Sequence, residues 1–374
     1  MKRKNILVTG GAGFVGSHLV DALIEKGYRV RVLDCLDPQV HPRKKRPSYL
    51  NPKAQLQIGD VRRPRDVRRA LAGMDAVYHL AAAVGVGQSM YKINYYVDTN
   101  SRGAAVLLEE IIRARKKPQK LVVASSMSIY GEGAYRCRRC GPASPSLREE
   151  KAMRRGQWEP VCPDCGGPLN AIPTSEKKPL NPTSVYAVTK RDHEELFLAI
   201  GQAYRIPTVA LRFFNIYGTR QALSNPYTGV AAIFCSRLLN NEPPMIFEDG
   251  RQTRDFIHVS DIVQANIRAL ENPRAAGQVF NVGTGKATSV LDIANLLSQR
   301  LGFKKPSQLV RRYRAGDIRH CFADISKISS CLGFKPQIPF EKGIEDLVGW
   351  VRSQTAQDRV KTATNELARY RLIR

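Results

Sequence analysis

Tyr186 and Lys190 stand four residues apart in Tyr186-Ala187-Val188-Thr189-Lys190, and Ser125-Ser126 ends an apolar run 60 residues before that tyrosine. On a helix, side chains at i and i+4 share a face. An ammonium held beside a phenol favours the phenolate and lowers the tyrosine pKa. Such a tyrosine accepts and returns a proton near neutral pH. A serine hydroxyl at a strand end can orient the same substrate oxygen. Alone the spacing is weak, because a chain with 14 Tyr and 59 Lys+Arg shows it by chance on solvated helices. A second reactive set is Cys137, Cys140, Cys162 and Cys165, spaced Cys-x2-Cys-x21-Cys-x2-Cys. Four thiolates so spaced can close a tetrahedral structural zinc site. They leave no open position for a catalytic metal, and a redox pair or a metal-free loop is the competing use.

The elements around these residues alternate. Asn5 to Thr9 is a β-branched run, followed by glycines at 10, 13 and 16 and then a helical pattern through Val15, Leu19, Val20, Leu23 and Ile24. Tyr28 to Leu33 is the next strand, closed by Asp34. Glycines at this spacing let the backbone approach a pyrophosphate at a helix N-terminus. An acid 18 residues past Gly16 binds a ribose 2′-hydroxyl and repels a 2′-phosphate, so NAD is favoured over NADP. Gln55 to Ile58 reads as a strand leading to Asp60-Val61, placed to meet the adenine. Ala76 to Ala82 reads as a buried strand whose small end residues, with Leu80, Ala81 and Ala82, lie beside the cofactor. Thr99 to Arg115 reads as one helix, and Leu121 to Ala124 as the strand that delivers Ser125 and Ser126. Repeated βα units imply a parallel sheet with helices on both faces.

The totals set bounds. A chain of 374 residues with 43% hydrophobic and 25% charged content is expected to form two domains, or one large α/β domain with an appendage. No apolar run approaches the ~18 residues that would span a membrane. The basic start precedes only Ile6-Leu7-Val8, too short for a signal peptide, so a cytoplasmic protein with reduced thiols is expected. The net charge of +26 comes from scattered clusters, among them Arg43 to Arg46 and Arg311 to Arg314. A nucleic-acid binder would gather it on one face. A solvated basic surface that attracts an acidic substrate is the expectation, although Arg136, Arg138 and Arg139 beside a zinc ribbon would permit nucleic acid.

Five motifs in order now carry a resemblance: Thr9 to Gly16, His79-Leu80-Ala81-Ala82, Ser125-Ser126-Met127-Ser128-Ile129-Tyr130-Gly131, Tyr186-x-x-x-Lys190 and Arg212-Phe213-Phe214-Asn215-Ile216-Tyr217-Gly218. Together they resemble the extended short-chain dehydrogenase/reductase family, the nucleotide-sugar epimerases and dehydratases, over about residues 5 to 350 apart from one insertion. The resemblance implies an α/β fold: a Rossmann-type doubly wound parallel sheet with a smaller α/β substrate-binding domain. It implies residues 1–214 as the NAD domain with a zinc-ribbon-like insertion at 132–176. Residues 215–374 would then be mainly the substrate domain, with 255–285 returning to the sheet. It implies Ser126, Tyr186 and Lys190 as the catalytic triad. For tightly bound NAD it implies Gly10, Gly13, Phe14, Val15, Gly16, Asp34, Asp60, Val61, Leu80, Ala81, Ala82 and Asn100, with Tyr186 and Lys190. For a nucleoside diphosphate sugar it implies Val86, Gln88 and Ser89 beside the sugar with Ser126, Asn215, Arg254 and Arg314 at the diphosphate, Phe247 along the base and Asp317 at a ribose hydroxyl. It also implies a homodimer paired through the 99 to 115 helix and the catalytic helix.

Dehydrating members carry an Asp-Glu pair after the catalytic hydroxyl residue. Met127-Ser128 stands there, and neither side chain can eliminate water. Dehydration is therefore not expected, and the resemblance implies 4-epimerisation through a keto intermediate. Within the family, Leu36 to His41, Ala83 to Tyr91, Arg220 to Gly229 and the cysteine insertion most resemble dTDP-L-rhamnose 4-epimerases. UDP-hexose and UDP-uronate 4-epimerases and a 4-ketoreductase stay open, as does a non-catalytic NAD-sensing or nucleic-acid-associated zinc protein. His258 reads as a packed residue, Asp261 as a helix cap, and Ala356 to Arg374 as a surface helix or frayed tail.

Overall fold

Apolar runs without alternation make buried parallel strands, and the first half of the chain is built from them. The computed structural model describes residues 4–374. In chain order the first half comprises β1 (Asn5–Thr9), α1 (Phe14–Glu25), β2 (Arg29–Asp34), β3 (Gln55–Ile58), α2 (Pro64–Leu71), β4 (Ala76–His79), α3 (Val86–Ser89), α4 (Ile93–Val97), α5 (Gly103–Arg113) and β5 (Lys120–Ser126). The insertion follows as β6 (Ala134–Cys137), β7 (Gly141–Ala143), α6 (Glu150–Arg154) and β8 (Leu169–Ile172); α7 (Val185–Ala203) and β9 (Thr208–Phe213) then resume the sheet. A late strand, Gln278–Val282, pairs parallel with β9. The result is a seven-stranded parallel sheet in the order β3-β2-β1-β4-β5-β9 and then the late strand. Chain order reverses between β1 and β4, and ligands bind outside the strand ends at such a switch.

Both sheet faces are covered. On one, Leu19 and Leu23 of α1 pack with Ile262 and Ile267 of the Val259–Glu271 helix. On the other, Leu107 and Ile111 of α5 pack with Phe197 of α7. A separate core of Phe234, Ile293, Leu297, Ile344 and Leu347 holds the C-terminal part. The insertion builds a three-stranded antiparallel sheet, β7-β6-β8.

Four expectations are corrected. The helix foreseen over Thr99 to Arg115 is interrupted, because Asp98–Arg102 forms a π-helical turn before α5. The strand foreseen to Ala82 ends at His79, and the small residues beyond it form a loop. Asp261 does not cap its helix. His258 does, through its ring accepting from the Ser260 N–H, and the Asp261 carboxylate accepts from Gln337 and Ile338 N–H. The C-terminal stretch forms the helix expected of it rather than a frayed tail, but that helix does not lie wholly on the surface. Its Val360–Arg369 helix buries Val360, Ala363 and Leu367, and Ile373 bridges antiparallel to Arg314.

Candidate active site

The glycine loop lies where β1 meets α1. Gly10 has φ +70°, and a Cβ there would sit 2.7 Å from the Ala81 nitrogen. A Cβ on Gly16 would sit 2.2 Å from the Gly10 carbonyl oxygen. Only glycine permits this packing of helix, loop and strand. Gly13 is the N-cap of α1 and supplies no side-chain cap, so the first-turn N–H groups remain available for an anion. Asp34 ends β2. Its carboxylate accepts from the Ala12 N–H at 3.0 Å and the Leu36 N–H at 2.9 Å. Burial pushes its pKa up, and these two N–H groups oppose the shift.

One cavity of about 640 Å³ opens across the strand ends. Gly10, Gly13, Phe14, Val15, Gly16, Asp34, Asp60, Val61, Leu80, Ala81 and Ala82 line one half. An open groove ending in an uncapped helix and a buried acid fits a dinucleotide. Arg62, which sequence reasoning missed, lines this end and clamps Asp60 at 2.6 Å and Asp98 at 2.7 Å.

The triad meets at the middle of the cavity. Ser126 is the last residue of β5, and Tyr186 and Lys190 occupy the first two turns of α7 behind the Ser184 N-cap. The Ser184 hydroxyl accepts from the Ala187 N–H at 3.1 Å, which starts the helix where Tyr186 is needed. Lys190 Nζ donates to the Ala124 carbonyl at 2.8 Å, and burial lowers its pKa to about 7. Burial raises the Tyr186 phenol to about 12, opposed by its hydrogen bond with Ser126. Here Lys190 Nζ bonds a carbonyl, and burial is the main cause of the shift at the phenol. Ser128, also overlooked, donates to the Ser126 hydroxyl at 2.8 Å. Its position two residues along a 3-10 turn was the available signal.

Beyond the triad the lining includes Val86, Asn215, Phe247, Arg254, Arg314 and Asp317. The Asn215 Oδ1 atom is buried without a hydrogen-bond partner. An orphaned acceptor of this kind marks a place for a ligand donor. Arg314 lies over the Phe247 ring at 4.8 Å and donates to Asp317 at 2.7 Å. Arg254 donates to the backbone carbonyls of Thr253, Ile318 and Arg319.

Three foreseen contact residues do not line the cavity. Asn100, in the π-helical turn, accepts from Ala83 N–H at 2.7 Å and donates to Thr189 Oγ1 at 2.9 Å. It fixes the cofactor-side loop to the catalytic helix. Ser89 accepts from the Tyr186 N–H at 3.0 Å, and Gln88 exchanges hydrogen bonds with Gln39. Their side chains act through neighbours.

In the insertion, the Sγ atoms of Cys137, Cys140, Cys162 and Cys165 all lie within 4.8 Å of one another, and all four thiols are free. A tetrahedron with Zn–S bonds of about 2.3 Å has S···S edges of about 3.8 Å. The Cys137–Cys165 separation of 3.6 Å fits that edge.

A dinucleotide groove feeding a Ser/Tyr/Lys centre, opposite a paired-arginine end, defines a nicotinamide-dependent enzyme of the short-chain dehydrogenase/reductase type. Comparison makes this specific. The NAD dependent epimerase/dehydratase family matches residues 6–150 and 163–283, its break falling within the insertion. The chain is 34% identical over 354 residues to dTDP-L-rhamnose 4-epimerase of Burkholderia thailandensis, covering 94% of this chain and 96% of that one. It is 33% identical over 350 residues to a putative UDP-glucose 4-epimerase of Methanocaldococcus jannaschii, covering 93% and 98%. Among solved structures, UDP-glucuronic acid 4-epimerase from Bacillus cereus, in complex with UDP-glucuronic acid and NAD, superposes with a TM-score of 0.76 at 29% identity, covering 93% and 99%. The chain belongs to the NAD-dependent epimerase/dehydratase family. It is an NAD-dependent nucleotide-sugar epimerase.

Proposed function

We propose that the chain is a 4-epimerase of dTDP-L-rhamnose. The observation that carries the reaction is the meeting of Ser126, Tyr186 and Lys190 midway along a cavity that runs from Asp34 to Phe247. The nearest alternatives are UDP-hexose and UDP-uronate 4-epimerases, and relatives of both kinds match. The sugar assignment is supported by the 34% identity to a dTDP-L-rhamnose 4-epimerase.

NAD, when bound, supplies an acceptor that takes hydride from the sugar carbon and returns it. Tyr186 would take the hydroxyl proton as that hydride leaves and give it back to the same oxygen when hydride returns to the opposite face of the carbon. Ser126, oriented by Ser128, holds the reacting oxygen. Lys190 anchors the base of the site through the Ala124 carbonyl. Arg314 and Arg254 are assigned to the diphosphate, with Asn215 Oδ1 facing a ligand donor. The loop residues from Gly10 to Gly16 are assigned to the pyrophosphate and Asp34 to the adenosine ribose. Fixed hold on the nucleotide lets the keto-sugar turn between its two faces without release.

Cys137, Cys140, Cys162 and Cys165 are assigned to structural zinc, supported by their mutual distances. A homodimer is proposed through α4, α5 and α7. Ile93, Val97 and Val188 are exposed there, at 52%, 43% and 52% of their surface. Other apolar residues of α5 and α7 contribute less: Ala104, Leu107, Leu108, Ile111 and Phe197 are buried within the chain.

Incubation with a panel of dTDP- and UDP-sugars, with products separated by stereochemistry, tests the assignment. Interconversion of dTDP-L-rhamnose and its 4-epimer is expected. Turnover confined to UDP-sugars would overturn the sugar assignment, and net reduction without inversion would overturn epimerisation.

A further inference from the structure

The Val360–Arg369 helix reaches the sugar end of the cavity from the far end of the chain. Val360, Ala363, Thr364 and Leu367 line that end. The Leu367 methyl groups lie 3.3 and 3.6 Å from where a Cβ on Gly87 would stand. Gly87 belongs to α3, and α3 ends at Ser89, whose hydroxyl accepts from the Tyr186 N–H at 3.0 Å. Leu367 is therefore separated from the catalytic tyrosine by one short turn of chain. Sequence patterning contained the signal: Val360, Ala363 and Leu367 make an i, i+3, i+7 stripe.

The helix is fixed in place. Glu366 accepts from Tyr91 Oη at 2.6 Å and from Tyr227 Oη, and the two phenols are 2.5 Å apart. Tyr91 stacks on Tyr370 with centroids 4.7 Å apart. The chain beyond the helix pairs with the nucleotide end: Ala315 N–H donates to the Leu372 carbonyl at 2.9 Å, and Tyr313 and Arg374 exchange bonds at 3.0 Å. The segment before it is tied by Arg237 to Asp358 at 3.0 Å.

Apart from the Thr364 hydroxyl this wall is apolar, and it carries no cation. Among the described residues the lysine and arginine groups in the lining are Arg62, Lys190, Arg254 and Arg314, at the adenine end, beneath Tyr186 and at the arginine pair. The charges beside the wall are the Glu366 carboxylate, held ionised by its two phenol donors, and Lys92, which favours that ionised form. A carboxylate on the sugar would meet chiefly apolar groups, and a hydroxymethyl group would exchange its water for at most the Thr364 hydroxyl. A methyl group would gain by burial.

We propose that the C-terminal helix is the specificity wall of the sugar subsite, that it selects a nucleotide sugar whose C6 is a methyl group, and that Leu367 is its main determinant. The proposal rests on the epimerase reading and extends it to one face of the substrate.

The test uses matched substrates that differ only at C6: UDP-6-deoxyglucose, UDP-glucose and UDP-glucuronate, and dTDP-L-rhamnose with its 6-hydroxy counterpart. The unaltered chain should favour the 6-deoxy member of each set it accepts by about tenfold or more in kcat/KM, the scale of discrimination by an apolar pocket. Leu367→Ala should raise the 6-hydroxy member relative to the 6-deoxy one. Leu367→Arg should reverse the order of 6-deoxy and carboxylate members. Bound NAD and affinity for the free nucleoside diphosphate should stay unchanged. If Leu367→Arg fails to fold, judged by lost NAD, Thr364→Arg introduces the same charge one turn earlier. Equal loss on all members with NAD retained would overturn the wall, as would preference of the unaltered chain for glucuronate. Either outcome leaves the epimerase reading standing. No turnover in either set would overturn both.

Discussion

The strand–helix pair β5 and α7 and the insertion between them are one stretch of chain built on two kinds of physics. Every residue of β5 is buried, and Leu121 and Val123 pack against α5 and α7. The insertion contributes no aliphatic cluster of its own. Its contact with the C-terminal part is charged: Arg148 makes paired bonds of 2.8 Å to Glu248, and Arg319 reaches Glu248 at 3.0 Å, Asp249 at 2.7 Å and Glu159 of the insertion at 2.6 Å. Its two ends are pinned side by side, with Gly133 N–H on the His320 carbonyl and Thr174 N–H on the Phe322 carbonyl, both at 2.8 Å. A loop fixed this way can differ wholly in physics from the core without moving Ser126 from Tyr186. The core carries the chemistry, and the insertion braces the nucleotide end, since Arg148 also donates to the Asp317 carbonyl at 2.9 Å.

The largest effect that separates the two regions is chemical. Tyr186→Phe removes the ionisable oxygen and leaves the packing. Turnover should fall about a thousandfold, the usual scale for a lost acid–base group. Nucleotide-sugar affinity and zinc content should stay as they are. Near-normal turnover, measured by product analysis, would remove the tyrosine from the mechanism.

Next comes the insertion's staple. In small metal modules, binding energy is folding energy. Cys162→Ser with Cys165→Ser should abolish the stoichiometry of about one zinc per chain and release residues 134–172, with bound NAD retained. Zinc by elemental analysis, NAD by absorbance and proteolysis of the insertion check this. Full zinc occupancy would exclude these ligands. Loss of NAD would mean that the two regions are not separable.

The seam between them gives a smaller effect. Arg148→Gln leaves the buried Glu248 with only Arg319 as a cationic partner. Breaking a buried pair costs about 3 kcal/mol. Because Glu248 follows Phe247, the KM for nucleotide sugar should rise more than kcat falls. A kcat loss at unchanged KM would show that the brace acts on the triad instead.

How far each region was legible follows from the same contrast. Gly10, Gly13, Gly16 and Asp34 were legible as a tight loop beside an acid at a strand end, because close backbone packing demands glycine at those distances. The four cysteines come together within 4.8 Å, as two close pairs in the sequence suggested. Arg148 and Arg319 looked like any of the 59 basic residues, since burial of an arginine depends on carboxylates distant in sequence. Asn100, Gln88 and Ser89 were placed at the right end of the site but assigned to the ligand, because sequence order does not tell whether a polar side chain faces the cavity or the loop behind it. The Val360–Arg369 helix was foreseen as one of two readings, but its polar majority hid its place against the cavity, and its three-residue stripe matters only once the cavity exists to receive it.

The smallest effect compares glycines. In the core, a Cβ on Gly16 would strike the Gly10 carbonyl, so the need is steric. In the insertion, Gly166 has φ +66° and nothing within 4 Å of a built Cβ. Its N–H donates to the Cys162 carbonyl at 2.8 Å, closing the turn that brings Cys165 back to Cys162. There the need is conformational alone, so Gly166→Ala should cost only about 1–2 kcal/mol for a left-handed residue. The expected result is a modest rise in the rate at which a chelator strips zinc, with turnover and NAD content unchanged in metal-loaded protein. A large turnover loss in metal-loaded Gly166→Ala would mean that the turn shape itself, and not the metal, holds the brace against Glu248.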